Sequence, residues 1–185
     1  EFNNLSASGD LTLGTYSHHR GVIALNVGGE DVALRAAYIH EERDSYTRNI
    51  AEGAKSQPGN LKMDAVRANL RLRGMDGKLN VNVRGEFFNV RTDNNAVKNR
   101  FDTVSSDPFV IEEDGRGYMN QAGYRISTEA RYDLTDGIQA RGLLSWQSGY
   151  THDQTDGDRT APALAVPAGT ATSGANTGSI KSTPR

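Results

Sequence analysis

Residues 64 to 90, DAVRANLRLRGMDGKLNVNVRGEFFNV, alternate apolar and polar positions on both sides of a single turn signal. Val66, Ala68, Leu70 and Leu72 are separated by Arg67, Asn69, Arg71 and Arg73. After Asp76-Gly77 the apolar set is Leu79, Val81, Val83 and Phe87, set against Asn80, Asn82, Arg84 and Glu86. Period two over this length selects extended strands, whose successive side chains point to opposite faces. Asp-Gly between two such runs signals a hairpin, because the turns that match strand twist need positive φ. A two-residue turn pairs Met75 with Lys78, hence Arg73 with Asn80, Arg71 with Asn82, Asn69 with Arg84 and Arg67 with Glu86. Leu72 then meets Val81, Leu70 meets Val83 and Val66 meets Phe87. Turn and register agree on one polar face and one apolar face.

The pattern recurs along the chain. It predicts strands near 2–16, 20–28, 31–42, 63–75, 78–91, 120–134 and 138–152, and no helical periodicity is evident. Around Thr135-Asp136-Gly137 a three-residue turn pairs Tyr132 with Ala140, Ala130 with Gly142, Thr128 with Leu144 and Ile126 with Trp146. The opposite face holds Asp133, Arg131, Glu129 and Ser127 against Gln139, Arg141, Leu143 and Ser145. Connections are short at Gly28-Gly29-Glu30-Asp31, Asp76-Gly77 and Thr135-Asp136-Gly137. They are long at 43–62, 92–119 and 153–185, which are rich in Asn, Asp, Gly, Ser and Pro. The hairpin at Ser17-His18-His19 is the exception, a short connection at the long-loop end. With successive strands antiparallel, tight turns gather at one end of the sheet and long loops at the other, the layout of transmembrane β-barrels. Residues 153–185 are expected as a long low-complexity loop or tail.

An alternating strand also suits an ordinary soluble sheet with a core under one face. Several features favour lipid. The strands run to 13–15 residues, against about 5–6 in globular sheets and ~9–11 for a tilted bilayer crossing. Of 21 basic residues, 16 are Arg and 5 are Lys, and Lys is absent from strand middles. Arg suits a confined network because its planar fork directs several hydrogen bonds. The apolar face carries small residues (Ala68, Gly85, Ala130, Ala140, Gly142) where a sandwich core wants bulk. Tyr16, Tyr38, Tyr118, Tyr124, Tyr132, Trp146 and Tyr150 lie mostly toward strand ends, as an interfacial girdle requires, although the aromatic content, 7%, is low for one. The hydrophobic fraction of 36% reads as soluble only if the sheet is not a barrel, since a barrel hides half of each strand from lipid. A net charge of −2 gives no basic footprint for nucleic acid, the absence of cysteine excludes disulfides and thiolate metal sites, and no apolar run reaches the ~20 residues of a membrane helix.

GTYSHHRGVIALNVGGEDVALRAAYIHEERDSYTRN, residues 14 to 49, resembles the early barrel strands of TonB-dependent outer-membrane receptors. The resemblance rests on Gly14 and Tyr16 before Arg20, on Leu25-Asn26-Val27, on Asp31-Val32-Ala33-Leu34-Arg35, and on Glu41-Glu42-Arg43-Asp44 followed by Tyr46. STEARYDLTDGIQARGLLSW, 127 to 146, is similar to the paired strands of that family. The resemblance covers residues 1–152. It implies a barrel of about 22 strands in the bacterial outer membrane, closed by a plug and importing a scarce nutrient of the siderophore, cobalamin or saccharide class. The implied partners are outer-membrane lipid and lipopolysaccharide, a small nutrient ligand, and the TonB complex acting through a plug. Neither plug nor TonB box is found, and an odd count of seven strands leaves two unpaired edges, so a partial barrel is expected. A passive porin and a soluble all-β binding or adhesin module remain the alternatives.

No enzyme constellation is found, and neither cofactor nor metal is expected. His18-His19 is an adjacent pair at a hairpin tip, where side chains point opposite ways, and a solvated tip is expected. His40 and His152 stand alone near strand ends as polar rim residues. Glu112-Glu113-Asp114 could hold a cation, but an acidic run is more often solvated surface. Gly115-Arg116-Gly117 lacks the strand-to-helix context of a phosphate loop. The singled-out residues are the inward set Arg67, Arg71, Arg73, Arg84, Arg131 and Arg141. These hold strands together and dock a plug, or line the route of an anionic ligand. The Asp, Asn, Tyr and Arg of loops 43–62 and 92–119 are the expected first contacts for a substrate.

Overall fold

The structure, a computed structural model, describes residue 2, residues 4–99 and 104–156, and the backbone of 176–182. Its strands are β1 (Leu5–Leu13), β2 (His19–Gly28), β3 (Val32–Arg43), β4 (Arg48–Asn49), β5 (Leu61–Gly74), β6 (Leu79–Thr92), β7 (Val110–Ile111), β8 (Tyr118–Thr135), β9 (Ile138–Thr155) and β10 (Asn176–Ser182). Eight of them form one antiparallel sheet in the order β1-β2-β3-β5-β6-β8-β9-β10, while β4 and β7 form a short parallel pair. All seven strands expected from the alternation are present, with ends shifted by a few residues. The eighth, β10, arises within 153–185, and 157–175 and 183–185 lie outside the described residues. The edge expected at 138–152 is therefore covered by β10. Among the described residues the sheet stays open, with β1 and β10 each paired on one side.

Register follows the expected turns. Arg73 faces Asn80, Leu70 faces Val83, Arg67 faces Glu86 and Val66 faces Phe87. Tyr132 faces Ala140 and Ile126 faces Trp146. The turn after β5 is wider than expected. Met75, Asp76 and Gly77 all have positive φ, at 53, 53 and 87°, and the ladder closes at Gly74–Leu79 rather than Met75–Lys78. The reason is on the next strand. The Lys78 carbonyl accepts from Asp133 N at 3.0 Å, which draws it away from Met75 N, while Gly77 N and Lys78 N bond back to the Gly74 and Met75 carbonyls at 3.1 Å each. Glycine takes positive φ without cost, so one of the three strained positions is free.

The apolar face is layered along the strands. Leu34, Leu70, Val83, Thr128 and Leu144 share one cross-strand row. Two rows nearer the long loops come Ile23, Tyr38, Val66, Phe87 and Tyr124, with Trp146 Nε1 donating to Tyr124 Oη at 3.4 Å. The next row holds His40, Asp64, Asn89, Ala122 and Tyr150, and the one beyond it His19, Glu42, Lys62, Arg91, Asn120 and His152. From Leu79 to Phe87 the apolar stretch of β6 runs nine residues, within the ~9–11 that a tilted strand needs to cross a bilayer. No second layer covers this face among the described residues, and Leu144 is 76% exposed.

The largest fully buried side chains lie in the long loops instead. Ile111, Glu113 and Pro58 are each under 2% exposed. Asn49 ties the two loops: its Nδ2 donates to the Glu113 carbonyl at 2.8 Å and its Oδ1 accepts from Glu113 N at 3.0 Å. Ser56, Gly117, Gly115 and Asp156 continue the link toward the end of β9. A Cβ on Gly115 would lie 2.9 Å from the Asp156 side chain, so glycine lets these segments approach. The acidic run 112–114 is thus no solvated strip, because Glu113 is interior to the loop cluster.

Candidate functional site

The polar face is concave. Residues of β5, β6, β8 and β9, with Phe2 across them, line a hollow of about 440 Å³ on it. All six expected arginines lie on this face, because Arg67, Arg71 and Arg73 alternate with the apolar set of β5 and the register puts Arg84 opposite Asn69, Arg131 opposite Asn80 and Arg141 opposite Arg131. They fall into three groups by partner. Arg131 and Arg141, directly opposite each other, both donate through Nε to Glu129 Oε1, at 2.7 and 2.8 Å. Arg67 pairs with Glu86 at 2.9 Å in an exposed contact. Arg71, Arg73 and Arg84 have no carboxylate partner among the described residues. Arg73 and Arg71 instead lie over the Phe2 ring, at 4.3 and 5.2 Å from its centroid, a contact that exploits the negative face of the ring. Phe2, expected as the first strand residue, therefore lies before β1 and caps the arginines. Asn82, with its amide oriented by its neighbours, donates to Asn69 and accepts from Arg84 Nη2 at 2.7 Å.

The hollow therefore carries one carboxylate, Glu129, already shared by two guanidiniums. Arg71 and Arg84 add positive charge to its wall without carboxylate neutralisation. In a recess with low-dielectric walls such a surplus attracts anions and directs them by geometry, since guanidinium forks match carboxylate and phosphate oxygens. At the long-loop end a second hollow of about 560 Å³ is bordered by Arg43, Lys62, Arg91, Arg116, Asp93 and Tyr118, among others.

The histidines depart furthest from expectation. His18 does not stand in solvent: its Nε2 is 3.1 Å from Glu41 Oε1, while Arg20 approaches the same carboxylate at 3.6 Å. His152 is not alone either, since its Nε2 is 3.0 Å from Tyr118 Oη. His40 is part of a cluster. The β2–β3 register sets His19 opposite Glu42, and His40 lies one row below, its ring 5.8 Å from that of His19. The sequence marked the turn at 28–31 but not its closing pair: the ladder closes at Gly28–Ala33, and counting outward from there brings 19 to 42.

No protein-family model and no curated protein matches the sequence. Among solved structures, the siderophore receptor PiuA from Acinetobacter baumannii superposes with a TM-score of 0.66 at 13% sequence identity. The match covers 82% of this chain and 22% of that one. The likeness is one of fold. It places the open antiparallel meander among β-barrel folds, and the chain spans about a fifth of the length of that receptor.

Proposed function

We propose that this chain is part of the wall of a bacterial outer-membrane receptor that imports a scarce nutrient by TonB-coupled active transport. The observation that carries the reading is the pair of unlike faces on one open sheet. One face is layered apolar, aromatic and then charged toward the loops, as lipid, interface and lipopolysaccharide headgroups demand. The other is concave and carries Arg71, Arg73 and Arg84 without carboxylate partners. Those three, with Arg67, Arg131 and Arg141, would line the passage of an anionic ligand or the seat of a plug. The substrate class follows the neighbour's description, a siderophore, with cobalamin or a saccharide as the other nutrients of this kind.

The experiment uses cells producing the full-length protein under iron limitation, with uptake of radioiron presented as purified siderophores. Uptake that needs both the protein and the proton-motive force supports the reading, and an Arg71→Ala/Arg73→Ala double variant should lower it several-fold at unchanged surface abundance. Uptake that persists when the proton-motive force is collapsed identifies a passive barrel and overturns TonB coupling.

A further inference from the structure

We propose that His19, His40 and Glu42 form a binding site for a late first-row divalent cation, Zn²⁺ being the best fit. The site is on the apolar side of the sheet, in the charged rows above the aromatic one, where β2 begins and β3 ends. It is separate from the arginines of the concave face and independent of the transport reading.

Three ligand atoms, one from each residue, lie within 4.8 Å of one another. Glu42 Oε2 is 3.9 Å from His19 Nε2 and 3.8 Å from His40 Nε2. Ligand atoms around tetrahedral zinc are separated by about 3.3 Å, given Zn–N and Zn–O bonds near 2.0–2.1 Å. Each histidine thus needs to close on Glu42 by roughly half an ångström, and the two imidazoles, no more than 4.8 Å apart, by up to about 1.5 Å, a movement open to side chains that are only half-buried.

The second observation is that both imidazoles are held in the ligand tautomer. His40 Nδ1–H donates to Asp64 Oδ1 at 2.8 Å, and His19 Nδ1–H donates to the Ser17 carbonyl at 3.0 Å. With Nδ1 protonated and engaged, each Nε2 keeps its lone pair, and each Nε2 is the atom that approaches Glu42. This is how protein metal sites orient histidine, through a carboxylate or carbonyl behind the ring. Two imidazoles and one carboxylate suit Zn²⁺, Cu²⁺ or Ni²⁺ rather than Ca²⁺ or Mg²⁺, which favour oxygen alone. Three protein ligands leave a coordination position for water.

One group opposes the cation. Lys62 Nζ is 3.2 Å from Glu42 Oε2, so bound metal and ammonium compete for that carboxylate. Lys62 is exposed on a flexible stem and can swing aside, and its removal should strengthen binding. A metal here bridges the first hairpin to β3 at the loop end.

The test titrates Zn²⁺, and Co²⁺ as a spectroscopic reporter, into the refolded full chain in detergent. One equivalent should bind, with the visible band of low-symmetry Co²⁺. His19→Ala and His40→Ala should each weaken binding more than ~100-fold. Asp64→Ala, which keeps all three ligands, should weaken it about 10–100-fold, the usual loss when the group behind a ligand is removed. Lys62→Gln should tighten it several-fold, and His18→Ala should leave it unchanged. Absence of one-equivalent binding, binding that survives His19→Ala and His40→Ala, or an equal loss with His18→Ala overturns the site. If a ligand variant misfolds, the Asp64 and Lys62 variants still decide it by their opposite directions.

Discussion

The two faces of β5 and β6 share a backbone and a ladder yet are built on different principles. On the concave face nearly every long side chain has a directed partner: Arg67 with Glu86, Arg84 with Asn82, Arg71 and Arg73 with Phe2. On the other face Val66, Leu70, Leu72, Val81, Val83 and Phe87 have only one another and the surroundings. The glycines make the same contrast. A Cβ on Gly85 or Gly142 would meet nothing within 4 Å, whereas one on Gly123 would come within 2.9 Å of the Phe88 ring and 3.1 Å of the Ser148 carbonyl. One face is filled by the protein itself, and the other is left for the solvent to fill. In water that solvent would have to be another apolar surface, so the face belongs against lipid or a partner.

The sharpest way to break this comparison is to place the same charge on each face. Leu70→Arg should cost about 2–4 kcal/mol near the bilayer midplane, while Asn82→Arg on the concave face should cost far less. Equal costs in a refolding titration into lipid vesicles would remove the distinction between the faces. A smaller effect sharpens it. Gly123→Ala should cost about 1–2 kcal/mol through overpacking, and Gly85→Ala should be close to neutral in the same titration. A matching penalty at Gly85 would reveal a second protein layer over the apolar face.

Glu129→Ala addresses the concave face alone. It leaves Arg131 and Arg141 opposed across one register pair without their shared carboxylate. Added sulfate should then restore more stability to the variant than to the parent chain, measured as a shift in unfolding midpoint. An identical sulfate response would mean that Glu129 does not hold the two guanidiniums together. The smallest effect is expected for Arg67→Ala. The Arg67–Glu86 pair is open to solvent, so its loss should change stability by no more than about 0.5 kcal/mol, and a penalty near that of Leu70→Arg would show that this pair lies in a dry environment.

Sidedness, seven of the eight strands described in the main sheet, and the registers of the two hairpins were legible in the sequence because they depend on local quantities. Side-chain alternation has a period of two, and a turn of known length sets every pair outward from it. Alternation of 66 to 73 against 79 to 87 was enough to put Arg71 and Asn82 on one face and Leu70 and Val83 on the other. The six arginines were therefore placeable, but their partners were not. That Glu129 serves Arg131 and Arg141 together, or that Phe2 covers Arg71 and Arg73, depends on side-chain directions and on sheet curvature, and neither leaves a periodic trace.

What only the tertiary structure decided lies mostly at the long-loop end. The parallel contact of Arg48–Asn49 with Val110–Ile111 joins positions 62 residues apart. Asn49 in one loop and Glu113 in the other show no pattern that announces their pairing. Glu113 is buried with its backbone N–H and carbonyl both bonded to Asn49, whereas an isolated acidic run would stay in water. The cluster of His19, His40 and Glu42 stands between the two cases. Its cross-strand pairing follows from a short turn, but the closeness of the rings and the donors behind them comes from rotamers and from Asp64 on a third strand. Strand alternation is dictated locally by the need to separate an apolar face from a polar one, while loop packing and side-chain clusters are chosen by contacts that exist only once the sheet has assembled.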